Sequence, residues 1–336
     1  LATSIKDVAK HSGVSIATVS HVLNGTRHTR PQTRERVLNS IHELGYSQNQ
    51  AARNLARGTS TLLGIIISDI RNPFFPEITA AFQEQALTHK MDALVINTNY
   101  DAKRTLDSVH RLIGMQVPGV AIFTSQIDET VVDLLAQRKV ASVYLDLGRV
   151  GPAVSNIVLE YGQGIAASLQ YLWDLGHRRI SYIGGPPGLL SIARRKEAFL
   201  QSAVKLGIEV PSVVDSDFTV NGAYQACGKV LEGNRPSAIM TGNDLTAIGV
   251  LHRAYDACLR VPEDLSVVGF DDILLAQYTQ PALTTVAVPR QELGRQGFEA
   301  LWAMMSDPNL AGRELRVPTQ LRIRQSSGKP APILKK

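Results

Sequence analysis

Apolar residues recur at helical spacing over the first 45 positions of the chain. Ser4 stands as an N-cap with Asp7 three residues on, and Ile5, Val8 and Ala9 then share one face, which predicts a helix over about 5–12 ended by Gly13. Val14 can plug the turn, Ser15 caps a second helix, and Val19, Val22 and Leu23 repeat the i, i+3, i+4 pattern until Asn24-Gly25 stops it. Pro31 opens a third helix, with Val37, Leu38, Ile41 and Leu44 expected inward and Gly45 as terminator. Two short helices joined through a glycine turn make a helix-turn-helix, and three helices of this size can share one small core.

From Leu62 the pattern changes. Short β-branched runs over 62–67, 93–96, 120–123 and 142–145 alternate with amphipathic helices near 75–88, 102–115 and 129–138, the signature of a parallel α/β unit. A second set follows, with strands near 157, 180–183, 213–218, 238–241 and 267–270 and helices between them. Two similar halves in tandem predict a bilobed protein of two doubly wound parallel subdomains, and ligands of open α/β sheets bind outside the carboxyl ends of the strands. The space between the lobes is therefore the expected site.

Charge sharpens the picture at one end. Up to residue 58, Lys6, Lys10, Arg27, Arg30, Arg34, Arg36, Arg53 and Arg57 face only Asp7, Glu35 and Glu43, a net +5 equal to that of the whole chain, so the remainder is neutral. This asymmetry points to a polyanion partner for the N-terminal module alone. With Val19, Val22 and Leu23 inward, the second helix presents Ile16, Ala17, Ser20 and His21 outward, near the end that such motifs push into the major groove. His21 can hydrogen-bond a base edge or a phosphate, and Ile16 and Ala17 offer apolar surface to a thymine methyl. Ser15, Asn24, Arg27, Arg34 and Arg53 complete the expected DNA-facing set, with the arginines meeting phosphates.

Other chemistries find little support. At 336 residues, 44% apolar and 19% charged, the composition is that of an ordinary globular protein of two or three domains. No apolar run is long enough to cross a bilayer, and Leu1-Ala2-Thr3-Ser4 leads into a charged amphipathic segment, so a cytoplasmic address without membrane contact is expected. Cys227 and Cys258 read as two reduced thiols. Gly162-Gln163-Gly164-Ile165-Ala166-Ala167 fits the loose form of a dinucleotide fingerprint but lacks the acidic ribose partner, so small residues packing a helix on a sheet account for it better. Gly184-Gly185-Pro186-Pro187-Gly188 lacks the Lys-Ser/Thr of a P-loop, and there is no HExxH, GxSxG or His/Cys cluster. The sequence names no catalytic residue, no metal site and no cofactor.

The run Ile5-Lys6-Asp7-Val8-Ala9 through Gly13-Val14-Ser15, then Ala17-Thr18-Val19-Ser20-His21-Val22-Leu23-Asn24-Gly25, with Thr33-Arg34-Glu35-Arg36-Val37 and Leu44-Gly45-Tyr46, resembles the headpiece of the lactose-repressor (LacI) family of bacterial transcription regulators. Asn72-Pro73-Phe74-Phe75, Asp146, Leu175-Gly176-His177-Arg178-Arg179-Ile180, Asn243-Asp244, Val268-Gly269-Phe270-Asp271-Asp272 and Pro281-Ala282-Leu283-Thr284-Thr285-Val286 stand in that family's order, so the resemblance runs to about Ser326. It implies a headpiece over 1–48, a hinge helix and linker over 49–61, a first effector subdomain over 62–157 with 288–317, and a second over 158–287 with 318–327. It implies a homodimer reading a roughly palindromic operator, with Leu55 levered into the minor groove. It implies an effector cleft, similar to that of periplasmic sugar-binding proteins, lined by Phe74 and Phe75 from the first lobe, Arg195, Phe218, Asn243 and Asp271 from the second, and Asp146 near the crossover. Carboxylates accept from hydroxyls, Arg195 and Asn243 donate, and aromatic faces cover the apolar side of a ring, which favours a sugar or sugar derivative over a purine co-repressor. A cytosolic sugar-binding protein without regulatory DNA binding is the alternative. Three positions depart from the family pattern: Glu160-Tyr161 replace the usual Asp-Asn, and Ala198 replaces a glycine beyond Arg195. In the purine-repressor branch a histidine occupies the place of His21, where many relatives have arginine.

Overall fold

The computed structural model describes residues 3–25, 27–47, 60–124, 128–307 and 309–331. Arg53 and Leu55, and with them most of the expected hinge, lie outside the described residues. The chain divides at residue 60 into two units.

The first unit is built from α1 (Ile5–Ser12), α2 (Ile16–Asn24) and α3 (Pro31–Glu43). Ser4 and Asp7 form a reciprocal capping box on α1, and Gly13, at φ 65°, takes the left-handed conformation that ends it. Ser15 caps α2 by accepting from the Thr18 N–H at 3.1 Å. Val8, Ala9, Val19, Val22 and Val37 are buried together, with Val14, Ile41 and Leu44 packed against them. Leu38, expected inward, is 45% exposed. The inward stripe of α3 runs instead through Val37, Ser40, Ile41 and Leu44, and the buried Ser40 hydroxyl is satisfied by the Arg36 carbonyl at 2.8 Å.

The second unit holds two six-stranded sheets. The first has the order β2-β1-β3-β4-β5-β11, all neighbours parallel, from β1 (Leu62–Ile67), β2 (Asp92–Asn97), β3 (Gly119–Phe123), β4 (Ala141–Leu145), β5 (Val154–Glu160) and β11 (Glu314–Pro318). The second has the order β7-β6-β8-β9-β10-β12, from β6 (Ile180–Ile183), β7 (Val213–Val214), β8 (Ala238–Thr241), β9 (Ser266–Asp271), β10 (Thr284–Ala287) and β12 (Gln320–Arg322), with only β12 antiparallel to its neighbour. The strand order is the same in both, with the direction of winding reversing after the first strand of each set. The chain crosses between the sheets three times, after β5, after β10 and between β11 and β12.

The central strands β1, β3 and β4 are buried at nearly every position because helices cover both faces. In the first lobe α4 (Phe74–Thr88) and α11 (Arg290–Ser306) lie against one face of the sheet and α5 (Ala102–Gly114) and α6 (Glu129–Gln137) against the other. The second lobe repeats this with α7 (Tyr161–Asp174) and α8 (Leu190–Leu206), then α9 (Val220–Glu232) and α10 (Asp244–Asp256). The strand expected over 213–218 is only two residues long. Asp215, Ser216 and Asp217 end it, and Asp217 turns back to accept from the Thr219 N–H at 2.9 Å, so Phe218 sits in a left-handed turn at φ 65°. The loose glycine fingerprint is a packing device: the Gly164 N–H donates to Thr319 Oγ1 at 3.0 Å, and a Cβ there would stand 2.3 Å from Val286 Cγ1.

Each lobe contains one helix pair in closest contact through glycine. A Cβ on Gly294 of α11 would stand 2.3 Å from the Ile78 carbonyl oxygen of α4, and one on Gly249 of α10 would stand 2.3 Å from the Val220 carbonyl oxygen of α9. Alanine in place of glycine raises helix propensity by about 1 kcal/mol. Overpacking against rigid backbone costs about 1–3 kcal/mol. Gly294→Ala and Gly249→Ala are therefore each expected to lower the denaturant midpoint of the second unit; a midpoint raised in either variant would show that the helices can move apart freely.

Candidate functional site

Two sites emerge, one in each unit. In the headpiece, Ile16, Ala17, Ser20, His21 and Asn24 fall on the face of α2 opposite Val19, Val22 and Leu23. Ser15, Ala17, Arg27 and Arg34 are exposed, Ile16 keeps 44% of its surface open, and Ser20 and His21 are half-buried. Asn24 is engaged within its own helix: its amide donates to the Ser20 carbonyl at 2.8 Å.

In the second unit, all seven side chains expected to face a ligand line one cavity between the sheets. They arrive from beyond the carboxyl ends of strands or from the first two turns of helices. Asn72 accepts from the Phe74 N–H at 3.0 Å and so starts α4, whose buried Phe74 and Phe75 rings meet edge to face at 5.2 Å. Asp146 follows β4 with φ 58°, and Asp271 ends β9 with φ 112°, both in the left-handed region that side chains rarely adopt. Phe218 lies over Gly185, where a Cβ would meet the ring at 2.3 Å. Asn243 caps α10, accepting from the Thr246 N–H at 2.8 Å.

Arg195 is the centre of this arrangement. It is 7% exposed; its guanidinium carbon lies 4.1 Å from the Phe270 ring centroid and 4.9 Å from that of Tyr161, and it donates to the Gly242 carbonyl. Its Nη2 is 3.7 Å from Asp271 Oδ1, an ion pair without a hydrogen bond. Burial pushes the Asp271 carboxyl up to about 6, with the charges of Arg195 and Arg290 pulling the other way. Behind it Asp244 is fully buried, accepting from Thr285 Oγ1 at 2.6 Å and the Ile273 N–H at 2.8 Å, and burial raises its carboxyl well above the usual range. Three buried polar atoms in the cleft wall make no hydrogen bond within the chain: Arg195 Nε, Asn243 Nδ2 and Asp271 Oδ1. Two are donors and one an acceptor, a pattern that an alcohol or a carbonyl beside an alcohol can satisfy.

Sequence reasoning passed over Asn72, Tyr100, Thr124, Ser191 and, as a lining residue, Tyr161. All but Asn72 and Ser191 directly follow a strand or stand within three residues of its carboxyl end, so the strand-end rule would have found them. Tyr100, at φ 58°, brings its ring to 6.3 Å from that of Phe218, so the two lobes meet at the edge of the cavity through aromatic side chains. Among the described residues no group of histidine, cysteine and carboxylate side chains could hold a metal, and no helix is long and apolar enough to cross a membrane.

Comparison with known proteins bears on both sites. Residues 4–49 match the family model of bacterial regulatory proteins, lacI family, and residues 169–327 match a periplasmic binding protein-like domain. The chain is 32% identical to the HTH-type transcriptional repressor PurR of Photobacterium profundum, covering 96% of this chain and 98% of that one. It is 30% identical to catabolite control protein A of Priestia megaterium, covering 96% and 99%. The crystal structure of the lac repressor dimer bound to operator and the anti-inducer ONPF superposes with a TM-score of 0.84 at 26% identity, covering 98% of this chain and all of that one. With the helix-turn-helix and the two-sheet fold both matched over nearly their full length, the chain belongs to the lacI family of bacterial regulatory proteins.

Proposed function

We propose that the chain is a cytoplasmic transcriptional repressor, without enzymatic activity, that reads a roughly palindromic operator as a homodimer and adjusts its hold on DNA according to whether a sugar or sugar derivative occupies the cleft. In this reading the lobe boundaries expected at 157/158 and 317/318 move to 160/161 and 318/319, because β5 runs to Glu160 and β11 to Pro318 in the first sheet. The observation that carries the ligand is that Arg195, Asn243 and Asp271, each at most 7% exposed and each with a buried polar atom unpaired within the chain, line one cavity between the sheets. Leaving such atoms unsatisfied costs about 1–3 kcal/mol each, which a ligand with matching hydroxyls relieves. Ser15, Ile16, Ala17, Ser20 and His21 meet the bases, Arg27 and Arg34 the phosphates. The segment holding Arg53 and Leu55 joins the two. Leu274, Leu275 and Tyr278, all exposed on one turn of the second lobe, suit the second copy. A ligand that binds one disposition of the lobes better than the other shifts operator affinity by that difference.

Binding of the full chain to a library of operator variants at fixed salt tests the headpiece. His21→Ala should relax discrimination at the bases it meets by about tenfold to a hundredfold, whereas Arg34→Gln should weaken all sequences alike and reduce the salt dependence by about one phosphate contact. Unchanged discrimination in His21→Ala removes that residue from the reading set.

Calorimetric titration with sugars and nucleobases tests the cleft. A hydroxyl donates to the ionised form of Asp271, so sugar affinity should be flat above pH 7 and fall as the pH drops through about 6. Asp271→Asn should weaken binding by about tenfold or more and abolish the pH dependence. Stability without ligand should run the other way. The folded carboxyl holds its proton up to about 6 against an ordinary 3.8, so the penalty for ionising it is present above 6 and is relieved as the pH falls between those values. A sugar affinity independent of pH in the unaltered chain would exclude Asp271 as the acceptor, and turnover of a bound sugar would contradict the reading as a binding protein.

A further inference from the structure

We infer that Tyr100 and Phe218 form a clasp between the free ends of the two lobes, and that this clasp sets how fast a small molecule enters and leaves the cleft. The inference rests on the reading of the cleft as a sugar site given above. The chain passes between the sheets after β5, after β10 and from β11 to β12, and these strands lie together at one edge of each sheet. The opposite edges are β2 and β7, the strands furthest from every crossing. Tyr100 stands shortly beyond the end of β2 and Phe218 shortly beyond the end of β7, and their rings meet at 6.3 Å. Two lobes joined along one edge part most widely at the other. This contact therefore lies where opening of the cleft is greatest.

Both rings are held in place from behind. Asn99 and Tyr100 stand at φ 55° and 58°, and Asn99 accepts at 3.1 Å from Arg71, whose guanidinium is gripped by both oxygens of Asp69. Phe218, at φ 65°, follows the turn closed by Asp217 and lies over Gly185, where a Cβ would meet its ring at 2.3 Å. A ring laid on glycine backbone has no room to retreat into its own lobe. Every other described side chain that lines the cavity is buried, whereas these two are half-buried. The pair thus marks where the cavity meets solvent, and a molecule bound for Arg195, Asn243 and Asp271 passes between them. A tilted aromatic pair at this separation shifts the balance of shut and open forms by about twofold to tenfold.

Stopped-flow binding to the full chain tests this, with whichever of D-glucose, D-galactose, D-ribose and L-arabinose calorimetry finds to bind tightest. Tyr100→Ser removes one ring and should raise the entry and exit rates each by about threefold or more, because a larger share of molecules is open at any moment. Tyr100→Phe keeps the ring and should leave the entry rate within about twofold of the unaltered chain. A residue that only touches the bound sugar acts on the exit rate. An unchanged entry rate in Tyr100→Ser, or one raised equally in Tyr100→Phe, therefore overturns the inference. A distance measurement without sugar separates the clasp from the sugar reading. With Cys258→Ser to remove the exposed native thiol, nitroxides at Lys103→Cys and Asn221→Cys, exposed positions at the starts of α5 and α9, report the width of the mouth, the labelled chain being diluted in unlabelled chain. The distance distribution should lengthen and broaden in Tyr100→Ser and stay as it is in Tyr100→Phe. If adenine or guanine binds and none of these sugars does, the sugar reading fails while the distances still decide the clasp: a distribution unmoved by Tyr100→Ser overturns it.

Discussion

A guanidinium buried between two lobes is the constraint to which the rest of this architecture answers. Arg195 has almost no surface open to solvent, and a charge so placed is tolerated only where hydrogen bonds, an opposite charge or polarisable faces replace water. The replacements come from three places in the fold: the carbonyl of Gly242 beyond β8, the carboxylate of Asp271 and the ring of Phe270 at the end of β9, and the ring of Tyr161 at the start of α7. The strand ends of the second sheet therefore have to finish in register around one side chain. Asp271 does so in a left-handed backbone conformation, and its carbonyl is held by Arg290, which also pairs with Glu77 of α4 at 2.9 Å. An unfavourable dihedral of this kind persists where the surroundings fix it from several sides.

The two lobes solve their packing problems alike. They share strand order and the pairing of helices on each face, and in each a glycine admits one helix to backbone distance from the next. The difference lies at the cleft. The second lobe carries Asn243 and Asp271 at its strand ends, and the first carries aromatic and aliphatic surface together with Asn72, Tyr100, Thr124 and Asp146, whose carboxylate accepts from Leu159 and Tyr161.

Much of this was legible in the sequence. The helical caps at Ser4 and Ser15, the glycine stop at Gly13 and the continuous apolar runs of β1, β3 and β8 are local signals, and the structure follows them. The failures are instructive because each involves a tertiary contact. Leu38 has the right residue type and the wrong angle about its helix, and the inward place went to a serine whose hydroxyl is held by the Arg36 carbonyl of its own helix and by His11 of α1. The end of β7 was overrun because apolar residues around Asp215-Ser216-Asp217 concealed a turn. Strands β11 and β12 are short and close their sheets only after long detours of the chain, and β10 has only four residues, so no local periodicity marks them. At the cleft, residue types pointed to Arg195, Asn243 and Asp271. That Asp146 accepts from a tyrosine fifteen residues away follows from no single-sequence rule.

The three chain crossings are not independent threads. Glu160 at the end of β5 is registered with Pro318, Gln320 is registered with Ala287, and Thr319 between them donates to the Glu160 carbonyl at 2.8 Å. Three strands laid edge to edge and tied across form a thin ribbon. A ribbon is stiff to stretching and to shear within its plane, and it yields by flexing out of that plane. The lobes are thus joined by a leaf spring, and relative motion is channelled into opening and closing the cleft about one axis.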